Sequence, residues 1–309
     1  MPTDRKILVT GLTGQIGHPV ARILAQDNEV WGAARFSAQD SRERAESIGV
    51  RTVAVDLETG DYTGLPDDFT HVVHFAAWMG PRPDHERALR ANAEATGLLM
   101  QHCRSAEAFL MASTNSVYRP NADPCHRYME DDPLGDPTSP FSPTYSMSKN
   151  AQEAVARTMS RALGLRTTIA RINASYGPNG GLPAYHGDWV AAGQTVHLRA
   201  PGPNPYSPIH EDDLGAQVAP LLDAASTPAT IVNWCGDDVV TAEEWCALFG
   251  ECLGVEPELV YDEVPGSQPG SAADPTRRLE LTGPCTVPWR DGMAAMLEAR
   301  SAGAAPARN

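Results

Sequence analysis

The sequence lacks the features of membrane-spanning, disulfide-stabilised and metal-binding proteins. Its 309 residues contain no apolar run of about 18 residues, the length that a membrane-spanning helix requires. Its six cysteines show no Cys-x-x-Cys spacing, which favours reduced thiols over a disulfide framework or a zinc site. Its nine histidines form no His-x-x-x-His pair, so the sequence predicts no metal site.

Positive charge is also scarce. The chain has 24 lysines and arginines against 39 aspartates and glutamates, which gives a formal net charge of −15. This balance argues against a broad surface for nucleic acid or for an anionic membrane, although a local cluster of amides or arginines can still bind an anionic ligand. Because no signal-peptide core separates Met1 from the first apolar strand, we expect a cytoplasmic location.

What the sequence does contain is the pattern of an α/β protein. Short apolar strands alternate with helical segments, which predicts a Rossmann-type doubly wound parallel sheet. We assign residues 1–175 to a dinucleotide-binding domain. We assign residues 176–309 to a smaller, mainly substrate-binding α/β region, and we expect some of its segments to return to the first domain.

A glycine-rich turn follows the first predicted strand. It reads Thr10-Gly11-Leu12-Thr13-Gly14-Gln15-Ile16-Gly17, and a helical pattern comes directly after it. Glycines let the backbone approach a pyrophosphate, and a helix N-terminus supplies free amides and a favourable dipole. The turn therefore predicts dinucleotide binding, with a purely structural turn as the alternative.

The end of the second predicted strand, residues 29–34, bears on the choice of cofactor. NAD-preferring folds carry an acid there, which binds the ribose 2′-hydroxyl. Here the strand is followed by Arg35, which can pair with a 2′-phosphate, and by Ser37, which can add a hydrogen bond. NADP is therefore favoured and NAD remains possible; alternatively, Arg35 stacks on adenine or points into water.

Two further strand ends carry residues that suit a bound dinucleotide. Asp56, followed by Leu57, can accept a hydrogen bond from an adenine amino group, or can cap the next helix instead. Ala76 and Ala77 end the fourth predicted strand, and their small size suits a backbone that passes close to a cofactor.

Tyr145 and Lys149 form the candidate catalytic pair. They lie four residues apart at the start of a helical pattern, so both side chains leave the same helix face. A lysine ammonium favours a neighbouring phenolate, which predicts a lowered pKa for Tyr145 and a role in proton transfer. The alternative is an ordinary surface pair. The preceding Pro- and acid-rich loop, residues 119–143, is long enough that we expect it to be functional.

In their order along the chain, these motifs resemble the extended short-chain dehydrogenase/reductases of the NAD-dependent epimerase/dehydratase type. The resemblance covers nearly the whole chain. It also includes Asn92 in a helical pattern at residues 84–104, Thr114 three residues before Val117-Tyr118, and the segments 171–178 and 208–214.

The resemblance implies a role for each matching position. Tyr145 would be the acid/base, Lys149 would lower its pKa and hold the nicotinamide ribose, and Thr114 would hydrogen-bond the substrate oxygen. The cofactor-binding residues would be Gly11, Thr13, Gly14, Gln15, Ile16, Gly17, Arg35, Ser37, Asp56, Leu57, Ala76, Ala77, Asn92, Tyr145, Lys149 and Ile172. The substrate-binding candidates are Trp78, Asn173 and Arg199.

Two departures from the family narrow the reaction. Sugar-nucleotide 4,6-dehydratases follow the threonine with Asp-Glu, whereas here Asn115 and Ser116 follow Thr114, so we do not expect elimination. Gln268 replaces an arginine that commonly grips the substrate pyrophosphate, and a neutral amide is a poor substitute for that arginine.

Three functions remain open on this basis. The leading hypothesis is an NADP(H)-dependent oxidoreductase that interconverts a carbonyl and a secondary alcohol on a small molecule. The alternative is a nucleotide-sugar epimerase with tightly bound NAD. A non-enzymatic cofactor sensor is disfavoured by the complete set of Thr114, Tyr145 and Lys149. The family resemblance further implies a homodimer, formed through the helical patterns at residues 84–104 and 145–163.

Overall fold

A computed structural model of the chain describes residues 4–302 and has a seven-stranded parallel sheet at its centre. Residues 1–3 and 303–309, which belong to the two predicted domains, lie outside the described residues. The strands are β1 Lys6–Thr10, β2 Glu29–Ala34, β3 Arg51–Ala54, β4 His71–His74, β5 Ala108–Thr114, β6 Thr167–Ile172, β7 Ser175–Tyr176, β8 Val196–Arg199, β9 Pro205–Tyr206, β10 Ile209–His210, β11 Thr230–Trp234, β12 Val240–Thr241 and β13 Leu259–Asp262.

The main sheet has the strand order β11-β6-β5-β4-β1-β2-β3, and each neighbouring pair is parallel. Its central strands are largely buried because helices cover both faces; Ile7, Leu8 and Val9 of β1 are fully buried. This arrangement confirms the predicted Rossmann-type fold. The remaining six strands form three two-stranded sheets.

Helices connect the strands and pack on both faces of the sheet. They are α1 Gly17–Leu24, α2 Ser41–Ser47, α3 His85–Ala88, α4 Ala95–His102, α5 Tyr145–Leu163, α6 Leu182–Ala191, α7 Glu211–Asp223, α8 Ala242–Leu253, α9 Thr276–Thr282 and α10 Trp289–Ala302. A π-helical segment, Leu89–Glu94, joins α3 to α4 without a break. The predicted long helix at residues 84–104 is therefore confirmed in position, but it contains an irregular turn at Asn92 that the sequence pattern did not indicate.

Two hydrophobic cores lie on opposite faces of the sheet. One core packs α1 and α7 against the sheet through side chains such as Val20 and Val218. The other packs α4 and α5 against it through Leu99 and Ala156. A third core joins α6, α8 and α10 around Trp245 in the C-terminal part of the chain.

Segments from the C-terminal part of the chain belong to the main sheet and its core. Strand β11 pairs with β6, and Trp234 at its end belongs to the same core as Ile7. Helix α7 joins this core through Leu214. The boundary near residue 175 stays a prediction.

Helix α6 was not predicted from the sequence, and its composition explains why. It contains Gly187 in its interior, a residue that disfavours a helix when the sequence is read locally. In the structure Gly187 lies against α10, where an added Cβ would come within 3.2 Å of Leu297. Tertiary packing therefore decides this helix. None of the described helices is both long and apolar enough to cross a membrane.

Candidate active site

The glycine turn between β1 and α1 brings segments of backbone into close contact. Gly11 has a positive φ of 70°, and a Cβ there would lie 2.6 Å from the Ala76 nitrogen. A Cβ on Gly17 would lie 2.3 Å from the Gly11 carbonyl oxygen, whereas one on Gly14 would lie 3.2 Å from it. Gly11 and Gly17 are therefore required by contacts within the fold, and the Gly14 amide closes the turn on the Gly11 carbonyl at 2.9 Å.

A cleft of about 380 Å³ opens at the carboxyl ends of β1 to β4. We call it the strand-end cleft. The predicted cofactor residues that line it are Gly11, Thr13, Gly14, Arg35, Asp56, Leu57, Ala76 and Ala77, together with the predicted substrate residue Trp78. Parallel strands place their carboxyl ends at one edge of the sheet, which is why residues from four separate motifs meet there.

The other predicted cofactor residues do not line this cleft. Gln15 accepts a hydrogen bond from the Tyr185 hydroxyl at 3.0 Å. Ile16 and Ile172 belong to the apolar core beneath the sheet edge. Ser37 is exposed on the segment after β2.

Asp56 and Arg35 differ in how firmly the protein holds them. Asp56 accepts a hydrogen bond from the Glu58 amide at 3.1 Å, so it caps the short 3₁₀ turn Leu57–Thr59 while it also lines the cleft. Arg35 is exposed at the cleft and forms no ion pair within residues 4–302. Its guanidinium is therefore available to a ligand.

Asn92 connects the strand-end cleft to α5. Its amide nitrogen donates to the Trp78 carbonyl at 3.0 Å and to the Ser148 hydroxyl at 2.8 Å, and its oxygen accepts from the Trp78 amide at 2.6 Å. The side chain is fully buried. Asn92 thus fixes the backbone that lines the cleft, and all the polar atoms of its side chain are used within the protein.

The three predicted catalytic residues come together beside this connection. Thr114 ends β5, Tyr145 is the first residue of α5, and the Thr114 side chain lies close enough to the Tyr145 phenol to act on its pKa. The Lys149 ammonium lies 6.0 Å from the centre of the Tyr145 ring and donates to the Ala112 carbonyl at 2.7 Å. Because β5 is the neighbour of β4, the set lies next to the end of the strand-end cleft that contains Ala76.

The pKa of Tyr145 differs from the sequence prediction. Burial raises it to about 12, and the Thr114 side chain opposes this rise only in part. The prediction that Lys149 lowers the Tyr145 pKa is therefore wrong for the protein's own groups. Burial also lowers the pKa of Lys149 to about 7, although the negative charge of Glu153 acts to raise it. A smaller fraction of Lys149 is therefore protonated near pH 7 than of an exposed lysine.

The predicted substrate residue Asn173 is committed to the backbone. Its amide nitrogen donates to the Ser271 carbonyl at 2.6 Å, and its oxygen accepts from the amides of Ala174 at 2.8 Å and Ser207 at 3.0 Å. Asn115, beside Thr114, donates to the same Ser271 carbonyl at 3.1 Å. Sequence reasoning missed this convergence, which fixes a segment that we call the strap, residues 270–274.

Arg199 is not brought to the strand-end cleft. It lies in a separate, mainly apolar cavity of about 320 Å³ whose other walls include Phe141 and Trp189, and its guanidinium is 6.0 Å from the Phe141 ring. Gln268, two residues before the strap, has a buried amide nitrogen without a hydrogen-bond partner among residues 4–302.

The long loop at residues 119–143 is held on both sides. Gly135 donates to the Val117 carbonyl at 2.9 Å, and the side-chain amide of Asn150 on α5 donates to the Gly135 carbonyl at 2.6 Å. The Tyr128 amide donates to the Ala272 carbonyl of the strap at 2.9 Å. The loop therefore links α5 to the strap as a fixed wall.

Comparison with known proteins agrees with this geometry. Residues 7–193 match the model of the NAD dependent epimerase/dehydratase family. The match covers more than half of the chain and confirms the resemblance that the ordered motifs indicated.

Curated relatives are similar over part of the chain. UDP-glucuronate 4-epimerase 2 of Arabidopsis thaliana is 30% identical over 191 residues, which cover 56% of this chain and 43% of that protein. UDP-glucuronate 4-epimerase 3 of the same plant is 30% identical over 193 residues, with the same shares covered. The matched segment thus spans less than half of each relative.

Solved structures are similar over nearly the whole chain. The UDP-glucuronic acid 4-epimerase from Bacillus cereus, in complex with UDP-glucuronic acid and NAD, has a TM-score of 0.83 at 20% identity, with 96% of this chain and 99% of that chain covered. The UDP-glucose 4-epimerase from Thermus thermophilus, in complex with NAD, has a TM-score of 0.80 at 24% identity, with 97% and 100% covered. At these identities the likeness shows a shared fold.

Proposed function

Because this chain belongs to the NAD-dependent epimerase/dehydratase family, we propose that it is a nucleotide-sugar 4-epimerase that uses tightly bound NAD. The observation that carries the proposal is the set of Thr114, Tyr145 and Lys149 beside a cleft walled by the glycine turn. The matched relatives and structural neighbours, several of which are UDP-sugar 4-epimerases, support the choice of reaction.

The strand-end cleft fits a dinucleotide. The close packing at Gly11 and Gly17 leaves backbone, with no side chain, at the position where the pyrophosphate would lie. No side chain caps α1 at Ile16, so the helix dipole is open to an anionic group. We expect Asp56 and Leu57 to border the adenine, and Ala76 and Ala77 to border the nicotinamide half.

The chain's own residues would move one proton in each half-reaction. Tyr145, as phenolate, would take the proton of the sugar 4-hydroxyl at its phenolic oxygen, and it would return the proton when the ketone is reduced. Thr114 would orient the reacting oxygen from its place beside Tyr145. NAD, when bound, would accept and return the hydride, and the positive charge of its oxidised ring would lower the raised pKa of Tyr145.

The residues beside Thr114 limit the chemistry to this exchange. Elimination of water needs a carboxylic acid and a carboxylate near the sugar, whereas Asn115 and Ser116 are neutral. The side-chain amide of Asn115 moreover donates a hydrogen bond to the Ser271 carbonyl, so this residue helps to hold the strap in place. We therefore propose epimerisation without dehydration.

The test is turnover of nucleotide sugars without net redox change. We expect purified protein to equilibrate UDP-glucuronate or UDP-glucose with its C4 epimer, as seen by proton NMR, while absorbance at 340 nm stays constant. A stoichiometric rise or fall at 340 nm with either sugar, and no epimer, would contradict the proposal.

A second candidate function is the NADP(H)-dependent interconversion of a carbonyl and a secondary alcohol. The free Arg35 side chain at the strand-end cleft favours it, since an arginine there can pair with a 2′-phosphate. The neutral Gln268 also favours a substrate without a pyrophosphate. Stoichiometric NADPH consumption with simple carbonyl compounds would support this candidate over the epimerase.

We also propose a homodimer through the outer surfaces of α4 and α5, by analogy with the family. Leu98 on α4 is 46% exposed although it is apolar, which is consistent with a covered position in a dimer. Light scattering after size-exclusion chromatography should give about twice the chain mass of 33.1 kDa.

A further inference from the structure

A fully buried ion pair lies directly behind the catalytic lysine. Glu153 follows Lys149 by one turn of α5, and Arg171 lies on β6. The Arg171 Nε donates to one carboxylate oxygen of Glu153 at 2.9 Å, and Nη2 donates to the other at 2.8 Å. Both residues are 1% exposed. Such a pair is tolerated inside a protein only when its geometry is good and its remaining polar atoms are bonded.

The remaining polar atoms of the pair are indeed bonded. The Ser113 hydroxyl donates to the Glu153 carboxylate at 2.5 Å. Arg171 Nη1 donates to the Tyr118 hydroxyl at 3.0 Å and to the Glu130 carbonyl at 2.9 Å. The fork of Arg171 is therefore held by α5 on one side and by the loop at residues 119–143 on the other.

Strand β5 holds Lys149 and Glu153 in one frame. Its Ala112 carbonyl accepts from the Lys149 ammonium at 2.7 Å, and the next residue, Ser113, donates to Glu153. Ser113 is also the register partner of Arg171 across β5 and β6. Consecutive residues of one strand thus fix the lysine and the carboxylate relative to each other.

Among residues 4–302, the other titratable groups near Lys149 are His74 and Tyr145, and both are uncharged near pH 7. His74 on β4 hydrogen-bonds Thr10 at 2.6 Å and Thr96 at 2.8 Å, and burial lowers its pKa to about 3, so it is neutral. Tyr145 on α5 has a raised pKa and is also neutral at pH 7. Glu153 is the anion whose charge raises the pKa of Lys149 against the effect of burial.

We propose that Glu153 is a positioning residue that keeps the Lys149 ammonium charged, and that Arg171 holds the Glu153 carboxylate in place. The importance of this arrangement for catalysis rests on the proposed function, because a charged lysine beside Tyr145 matters only if Tyr145 transfers protons. The inference itself concerns the protonation of one side chain and can be measured without substrate.

The composition of the chain makes this measurement unusually direct. Lys6 and Lys149 are its two lysines. Protein labelled with ¹³C at the lysine ε-carbon therefore gives two side-chain signals by NMR. Lys6, a partly exposed partner of Asp68 at the amino end of β1, serves as an internal reference. A pH titration of each signal reports its own protonation.

Glu153→Gln is the decisive variant. We expect the Lys149 titration midpoint to fall by about one pH unit or more, because an anion within one helical turn is lost, while the Lys6 midpoint stays constant. Glu153→Asp keeps the charge and should restore most of the shift. An unchanged Lys149 midpoint in Glu153→Gln would overturn the proposal, whatever the variant does to stability.

A second variant guards against misfolding, since Glu153→Gln leaves Arg171 buried and unpaired. The double variant Glu153→Gln/Arg171→Met removes both charges, and the Lys149 midpoint should still fall because the carboxylate whose charge raises the Lys149 pKa is lost. A wild-type midpoint in this folded double variant would also overturn the proposal. Failure to epimerise any nucleotide sugar would instead contradict the proposed function and leave these midpoints unaffected.

In an active enzyme the same change has a kinetic signature. Loss of the ammonium at a lower pH should move the alkaline limb of the kcat profile to lower pH in Glu153→Gln. A variant that was merely destabilised would lose activity at all pH values without moving this limb.

Discussion

The strand-end cleft and the strap differ in the contacts that hold them in place. The cleft is lined by the glycine turn, by small residues such as Ala76 and by larger side chains such as Trp78 at the ends of four strands, and a Cβ added at Gly11 or Gly17 would collide with neighbouring backbone. The strap is held by backbone hydrogen bonds and also by distant side chains, because the amides of Asn115 and Asn173 converge on the Ser271 carbonyl. These two asparagines lie 156 and 98 residues before Ser271 in the chain.

This difference explains why the cleft could be predicted from the sequence and the strap could not. A cleft that must present backbone excludes side chains, and the exclusion leaves glycines at fixed spacing. A strap held by long-range side-chain hydrogen bonds needs only an amide at each position, and an isolated asparagine carries no local signal. The predictions below test whether the chemistry, the cleft and the strap can be disturbed separately.

The largest effect is expected from Tyr145→Phe, which removes the phenolic oxygen that we propose carries the proton and leaves the cleft intact. Turnover should fall by about 10²- to 10⁴-fold, as is typical for the loss of a general acid/base, while NAD affinity is nearly unchanged. Steady-state kinetics and calorimetric titration with NAD measure the two quantities. The exposed Tyr261→Phe is the matched control, and substantial activity in Tyr145→Phe would remove Tyr145 from the mechanism.

The next effect tests the cleft through its backbone contacts. In Gly17→Ala the new Cβ would meet the Gly11 oxygen at 2.3 Å, so we expect a loss of about 1–3 kcal/mol in the free energy of unfolding and weaker NAD binding. Gly14→Ala, with a 3.2 Å contact, should cost less. Chemical denaturation and NAD titration compare the two variants. Equal losses would mean that this contact does not decide the turn.

A smaller effect is expected at the strap. Asn173→Ala removes hydrogen bonds to Ser271, Ala174 and Ser207 and should lower the free energy of unfolding by about 1–3 kcal/mol. Asn115→Ala should cost less, because it loses one hydrogen bond and also removes a buried oxygen that has no partner among residues 4–302. NAD affinity should change little in both variants. A collapse of NAD binding in Asn173→Ala would show that cleft and strap are not separable.

The smallest effect is expected from Arg35→Ala on NAD affinity. Arg35 is exposed and its contribution to binding should stay within about 1 kcal/mol. Parallel titrations with NAD and NADP on wild type and variant measure it. A wild-type preference for NADP that disappears in Arg35→Ala would favour the second candidate function and would place a specific side-chain contact in the cleft.

The pKa of Tyr145 marks where sequence reasoning about the site failed. The spacing of Tyr145 and Lys149 was sufficient to predict that they share a helix face, and the structure brings both beside Thr114. The spacing could not show that burial raises the Tyr145 pKa to about 12 and lowers that of Lys149 to about 7. Desolvation depends on everything that packs around a group, so it follows from the fold and not from two positions.

The sequence by itself determined the elements whose signals are local. The predicted bounds of β2 and α5 agree with the structure, and α5 ends at Gly164, whose φ is 66°. The glycine turn was equally local, because it joins neighbouring residues of one strand, turn and helix. Hydrophobic periodicity, a left-handed glycine and a backbone turn are properties of adjacent residues, which is why they can be read without coordinates.

Only the tertiary structure decided how distant residues serve the site. It placed Asn92 between Trp78 and Ser148, and it directed Asn173 to the backbone. It placed the Glu153–Arg171 pair behind Lys149 and left Arg199 in a separate cavity. Each of these outcomes depends on which strands become neighbours and on the water that their packing excludes. Neither the choice of neighbouring strands nor the exclusion of water can be read from a single position of the chain.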